Sequence, residues 1–159
     1  MQCYDYFESP HGRMLLIADD NTLTGVYFTG QKHHPTIEGA WIRNARHAPL
    51  RQAKRELAEY FAGRRKRFSV RVTPQGTPFQ RAVWKAIAGV DFGRTIPYAE
   101  LARRAGHSGS ARAVGAATGR NPIGIIVPCH RIVGSNGSLT GYAGGLAKKR
   151  ALLALESRS

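Results

Sequence analysis

The residues of this chain best suited to chemistry sit together in Ile125-Ile126-Val127-Pro128-Cys129-His130-Arg131-Ile132-Val133. A thiol is the strongest nucleophile among the side chains at neutral pH, and it reacts as the thiolate. His130 can hold its proton, and the charge of Arg131 would favour Cys–S⁻. Free cysteine is also among the most buried residue types, so a structural Cys beside a core His is the plain alternative. The β-branched runs on either side predict a buried strand that delivers Cys129 to the edge of a turn. Successive strand side chains face opposite ways, so a strand continuing through His130 would hold the imidazole away from the sulfur. Either the chain turns after Pro128 or a water carries the proton. A further group should then orient His130 from behind. Glu156 follows Glu100 as the last acidic residue, and it is the one plausible downstream carboxylate for that task.

The elements that must position this pair are well punctuated. Thr77-Pro78-Phe79-Gln80 reads as a capping box with Pro at the first helical position. Phe79, Val83, Trp84 and Ile87 form the buried stripe of that helix, which Gly89 ends. After the Phe92-Gly93-Arg94 turn, a short helix over 98–105 stops at Gly106, and a second helix covers Ser110 to Gly119. Short helix, tight glycine turn and second helix make a helix-turn-helix. The second helix carries Ala and Gly where a major-groove reader needs Asn, Gln or several Arg. Its small face with one long arm, Arg112, suits close approach to a minor groove and insertion into the base stack. The alternative is a tightly packed internal helix. Asn121-Pro122 ends it, Gly134 to Gly137 reads as a hairpin-type turn, and Gly141 to Gly145 forms a loop rich in backbone N–H groups. Leu146 to Leu155 is the final helix, with Glu156 at its end.

Residues 2–29 read as a β-meander, turning at Ser9-Pro10-His11-Gly12 and Asp19-Asp20-Asn21. Gln31 to Ala48 reads as an irregular connection with Trp41 as a core filler. Pro49 opens a helix with Leu50, Ala53, Leu57 and Phe61 on one face. Arg64-Arg65-Lys66-Arg67 reads as a solvated turn, Phe68 to Val72 as a short strand, and Thr73 to Gly76 as a linker. The 159 residues thus divide into an α/β domain over 1–74 and a second domain over 75–159.

Composition narrows the function. The chain has 24 Lys and Arg against 10 Asp and Glu, a net +14. Residues 76–159 hold 12 basic and 3 acidic residues, against 12 and 7 in residues 1–75, so the cysteine lies in the more positive half. That balance points to nucleic acid. No basic amphipathic helix, apolar span or leader pattern argues for a membrane, and a cytoplasmic, DNA-associated location is expected. Two cysteines, Cys3 and Cys129, far apart, suit a reducing compartment rather than a disulfide framework. Cys3 could join His33, His34 or His47 at a metal, but it lacks the paired spacing of zinc ligands.

Pro128-Cys129-His130-Arg131, preceded by Asn121-Pro122 and followed by Gly141-Tyr142-Ala143-Gly144-Gly145, resembles the O6-alkylguanine-DNA alkyltransferases. The likeness extends back through Gly115, Ala111 to Val114, Tyr98 and the Thr77 to Trp84 segment, and covers essentially residues 77–156. Residues 1–74 fit the family's variable first domain loosely.

The resemblance implies an α+β protein with a small antiparallel-sheet, ribonuclease-H-like first domain. It implies an α-rich second domain of winged-helix type carrying a helix-turn-helix. It also implies a protein that flips O6-alkylguanine, and by extension O4-alkylthymine, out of duplex DNA and moves the alkyl group to its own cysteine. Cys129 would be the acceptor. His130 would deprotonate it through a water, Glu156 would orient the imidazole, and Asn121 would brace the loop. Tyr98 would crowd the phosphate behind the flipped nucleotide and donate a proton toward the base. Arg112 would fill the hole in the stack, with Ala111, Ala113, Gly115, Ala116 and Arg120 against the minor groove. Tyr142, Ala143 and Gly144 would roof the pocket, which Thr118 and Ile132 would also line. No cofactor and no metal are expected. The partner is double-stranded DNA, bound without sequence preference by a monomer, with cooperative assembly left open. Attack on an sp³ carbon gives a thioether that water cannot reverse, so each molecule would act once.

Two rival functions draw on the same residues. An alkyltransferase-like binding module would flip lesions without chemistry, but such proteins replace the acceptor cysteine. A Cys-His acyl hydrolase could draw an oxyanion hole from the Gly144-Gly145 loop, yet it leaves the basic half and the helix-turn-helix unexplained.

Overall fold

The computed structural model describes residues 1–158, and the chain forms two compact units, Met1–Thr73 and Pro74–Ser159. In the first unit, β1 (Cys3–Ser9), β2 (Gly12–Ala18) and β3 (Leu23–Phe28) make the expected antiparallel meander. Its turns are fixed by side chains. Ser9 Oγ accepts from His11 N (3.1 Å) and donates to Gly12 O (2.6 Å), while Asp19 Oδ1 accepts from Asn21 N (2.9 Å) and Thr22 N (2.7 Å). All of Met14 to Ala18 is buried, so β2 is the central strand of the core. Helix α1 (Ala48–Phe61) packs on the sheet through Leu50, Ala53, Leu57 and Tyr60, with Phe61 only half-buried. The buried face therefore sits one residue nearer the N-terminus at its end than the apolar spacing suggests.

Two features of this unit differ from the sequence reading. The connection after β3 contains a short strand, β4 (Ile42–Arg43), paired parallel to β1. Both its residues are exposed, so no alternation could announce it. Conversely, the segment 68–72 makes only an isolated bridge, Leu23 to Val72. Its backbone is taken up elsewhere: buried Glu56 accepts from Ser69 N (2.8 Å) and Val70 N (3.1 Å) through Oε1.

In the second unit, α2 (Pro78–Ala88) starts with the reciprocal capping box of Thr77 and Gln80. Helices α3 (Tyr98–Arg104) and α4 (Ala111–Gly119) form the helix-turn-helix, and both pack on α2. Trp84 is core, and its indole N–H donates to Ala117 O (2.8 Å), satisfying a carbonyl at the end of α4. Strand β5 (Ile96–Pro97) pairs parallel with β6 (Ile132–Val133), and α5 (Leu146–Glu156) closes the unit.

The strand expected to deliver Cys129 is not one. Residues 124–127 form a turn in which Val127 N donates to Ile123 O (3.0 Å), and Ile125 adopts φ 69°. A β-branched residue in the left-handed region is strained, and it persists only where its surroundings dictate it. Pro128 (φ −82°, ψ 64°) makes a further tight turn, with Cys129 N donating to Val127 O (2.8 Å). Cys129–Arg131 is then a single 3₁₀ turn leading into β6. The β-branched run thus follows packing rather than strand propensity: Ile123, Ile125 and Val127 are all buried.

Candidate active site

Asn121 organises this turn from inside. Its Oδ1 accepts from Ile123 N (3.0 Å), and its Nδ2 donates to Val127 O (2.8 Å) and Ile123 O (3.4 Å). The Asn121 side chain also acts on the Cys129 thiol, favouring its ionised form. Burial pushes the Cys129 thiol up from its ordinary value, while the Asn121 hydrogen bond and the charge of Lys149 pull it back. The net direction is upward, so the thiol rests protonated and needs a base.

A 3₁₀ turn sets successive side chains about a third of a revolution apart rather than on opposite faces. Cys129 and His130 are therefore not opposed as strand neighbours would be. His130 is fully buried, and its Nε2 lies 2.7 Å from Glu156 Oε2, so the N–H sits there and the carboxylate accepts. Nδ1 is then the basic nitrogen, and it is buried with no hydrogen-bond partner among the described residues. Burial lowers the His130 pKa more than Glu156 raises it, which keeps the imidazole neutral and able to accept a proton.

Glu156 is 2% exposed and closely held. Arg131 forms a two-pronged ion pair with it (Nε to Oε1 2.8 Å, Nη2 to Oε2 3.0 Å) and donates through Nη1 to Val90 O (2.6 Å). Gly93 N adds a weaker bond to Oε1 (3.4 Å), and Phe92 lies under the guanidinium. The sequence reading gave Arg131 to the thiolate. The structure turns it onto Glu156, where it balances a buried carboxylate.

The cation near the sulfur is instead Lys149, which sequence reasoning missed. It is fully buried and donates through Nζ to Ile132 O (2.6 Å) and Thr140 O (2.9 Å). Burial lowers its pKa, and the negative sulfur opposes that shift. A signal was present: Lys149, Leu152 and Glu156 stand at i, i+3 and i+7, which is one helix face, and all three are buried.

Tyr142 is half-buried, and its phenol lies well above its ordinary pKa, from desolvation first and then from Cys129 and Glu156. It remains a neutral hydroxyl. Ala143 and Gly144 follow it at similar burial. Thr118 is buried, its hydroxyl donating to Val114 O (2.8 Å) within α4, and Ile132 is buried in β6. The ring of Tyr98 faces Gly115 across the helix-turn-helix, and its hydroxyl accepts from Thr140 Oγ1 (3.3 Å). Helix α4 buries Val114, Ala117 and Thr118 and exposes Ala111, Arg112, Ala113 and Ala116, and its C-cap Arg120 is exposed too. It is thus not an internal helix: one face is core and the other a small-residue surface with one long cation, and a second stands at the C-cap.

Fold and site together define a class: a helix-turn-helix protein with an interior thiol, backed by a histidine–carboxylate pair. The DNA-binding domain of 6-O-methylguanine DNA methyltransferase matches residues 78–158, and that protein's ribonuclease-like domain matches residues 3–74. A methylated-DNA–protein-cysteine methyltransferase of Methanosarcina acetivorans is 46% identical over 96% of this chain and 97% of its own length. One from Mycolicibacterium paratuberculosis is 43% identical over 98% and 92%. The crystal structure of Mycobacterium tuberculosis OGT in complex with DNA superposes with a TM-score of 0.89, at 42% identity over 98% of this chain and 92% of that one. The chain belongs to the 6-O-methylguanine DNA methyltransferase family.

No helix among the described residues is long and apolar enough to cross a membrane.

Proposed function

We propose that this chain removes the alkyl group from O6-alkylguanine in double-stranded DNA by transferring it to its own Cys129, once per molecule. The observation that carries the reading is a buried thiol served by Asn121 and Lys149, next to a neutral His130 whose Nε2 is bonded to Glu156. The relatives' names, methylated-DNA–protein-cysteine methyltransferase, support the same substrate.

In the proposed sequence, the exposed small face of α4 meets the minor groove, Arg112 occupies the place of the extruded base, and Arg120 neutralises phosphate. Flipping costs a few kcal/mol, which the inserted side chain and the pocket contacts offset. The Cys129 proton passes through a water to His130 Nδ1, and Glu156 stabilises the imidazolium. The thiolate attacks the alkyl carbon in line as the carbon–O6 bond breaks, and its electron pair stays with the purine. Tyr98 donates a proton toward that leaving base and is reprotonated through solvent as the His130 imidazolium gives up the proton taken from Cys129, so the products are neutral guanine and S-alkyl-Cys129. Tyr142, Ala143 and Gly144 enclose O6, with Thr118 and Ile132 behind. O4-alkylthymine presents the same alkyl–oxygen bond and is proposed as a second substrate. The protein acts as a monomer inside the cell, where a free thiol persists. The chemistry belongs to the second domain (75–159), and none of it is assigned to the first (1–74).

The test is intact mass after mixing the protein with a duplex carrying one O6-methylguanine, beside Cys129→Ser. One added methyl mapped to Cys129 and absent from the variant is expected. Selective lesion binding with no mass change would overturn the reading in favour of a protein that flags damage without repairing it.

A further inference from the structure

Thr140 lies at a junction of the site that the mechanism above does not use. Its carbonyl accepts from the buried Lys149 Nζ (2.9 Å), the cation whose charge acts on Cys129. Its hydroxyl donates to Tyr98 Oη (3.3 Å). The Tyr98 ring, at the first turn of α3, is in van der Waals range of where a Gly115 side chain would begin. The ring thus lies against α4, and its oxygen accepts from Thr140.

That direction matters because a phenol has one proton to give. With Thr140 as donor, the Tyr98 oxygen is already accepting, and its own hydrogen points elsewhere. We propose that Thr140 is a positioning residue that fixes Tyr98 as a hydrogen-bond donor to the departing base. This rests on the alkyl-transfer function proposed above. A phenol without that partner can rotate and accept from solvent, and then no proton faces the base as negative charge develops on it.

The test uses the full chain and single-turnover transfer from an O6-methylguanine duplex, followed by intact mass. Thr140→Val keeps the carbonyl bonded to Lys149 and removes only the hydroxyl. It is expected to slow transfer about tenfold, the effect of losing one positioned proton donor at the low end, with duplex affinity unchanged. Thr140→Ser recovers most of the rate. In a Tyr98→Phe background, Thr140→Val adds no further loss, because the two residues act as one unit. Equal rates for wild type and Thr140→Val, or a full additional loss in the Tyr98→Phe background, would overturn the assignment. Wild type that gains no methyl would instead defeat the underlying function, so the two failures are distinguishable.

Discussion

At the scale of single residues, the site is two charge problems solved separately. Glu156 needs a cation to stay ionised while buried, and Arg131 supplies it with two parallel bonds. Cys129 needs its thiolate favoured against desolvation, and Asn121 and Lys149 supply that. The sign of the second effect is testable. Lys149→Met removes a favourable charge, so the Cys129 pKa must rise and the thiolate must appear at higher pH. Titrating thiolate absorbance in the ultraviolet, with Cys3→Ala to remove the other thiol, should show the curve displaced upward. The pH profile of methyl transfer should move in the same direction. A profile that stays in place would mean that the ammonium only ties Ile132 to Thr140. Glu156 was legible in the sequence because it is the only acidic residue after Glu100 in a basic half. Lys149 was not, because lysine is read as solvated by default and only its shared face with Leu152 and Glu156 argued otherwise.

At the scale of elements, α5 is the bar that carries both charges. Lys149 and Glu156 project from one face two turns apart, with Leu152 fully buried between them. Leu152→Ala should therefore cost about 2–5 kcal/mol, as a large-to-small core change does, and loosen both ends of the site at once. Urea unfolding measures the first. Slower methyl transfer by the fraction that remains folded measures the second, and a folded variant of unchanged rate would show that α5 is held without its centre. The helices of this unit were legible because caps and stops bound them: Thr77 with Gln80, and Pro49 in the first unit. The 123–131 segment was not, because Ile125, Ile126 and Val127 carry strand propensity while Asn121 and Pro128 impose turns. Side-chain hydrogen bonds from Asn121 to Ile123 and Val127 decide the local backbone, and residue type reports such bonds poorly.

At the scale of the whole molecule, the excess of positive charge is the property most visible in the sequence, yet it is not concentrated in the site. Of the cations around Cys129, Arg131 and Lys149 face inward and are held by a carboxylate or carbonyls. The groups left for a polyanion at α4 are Arg112 on its small-residue face and Arg120 at its C-cap, both exposed. On the proposed function these two should contribute differently. Losing a phosphate contact weakens binding to any duplex and flattens the salt dependence by about one unit of log K against log salt. Arg120→Ala should do this, equally for intact and lesion-bearing DNA. An inserted side chain matters only when a base leaves the stack. Arg112→Ala should therefore weaken lesion-duplex binding and repair, on the order of tenfold, while reaction with the free O6-methylguanine base stays largely intact, because nothing is flipped there. Binding titrations at several salt concentrations, run beside mass-detected transfer to both substrates, separate the two roles. Equal loss by Arg112→Ala on duplex and free base would place that arginine in support of the thiol and not in the stack.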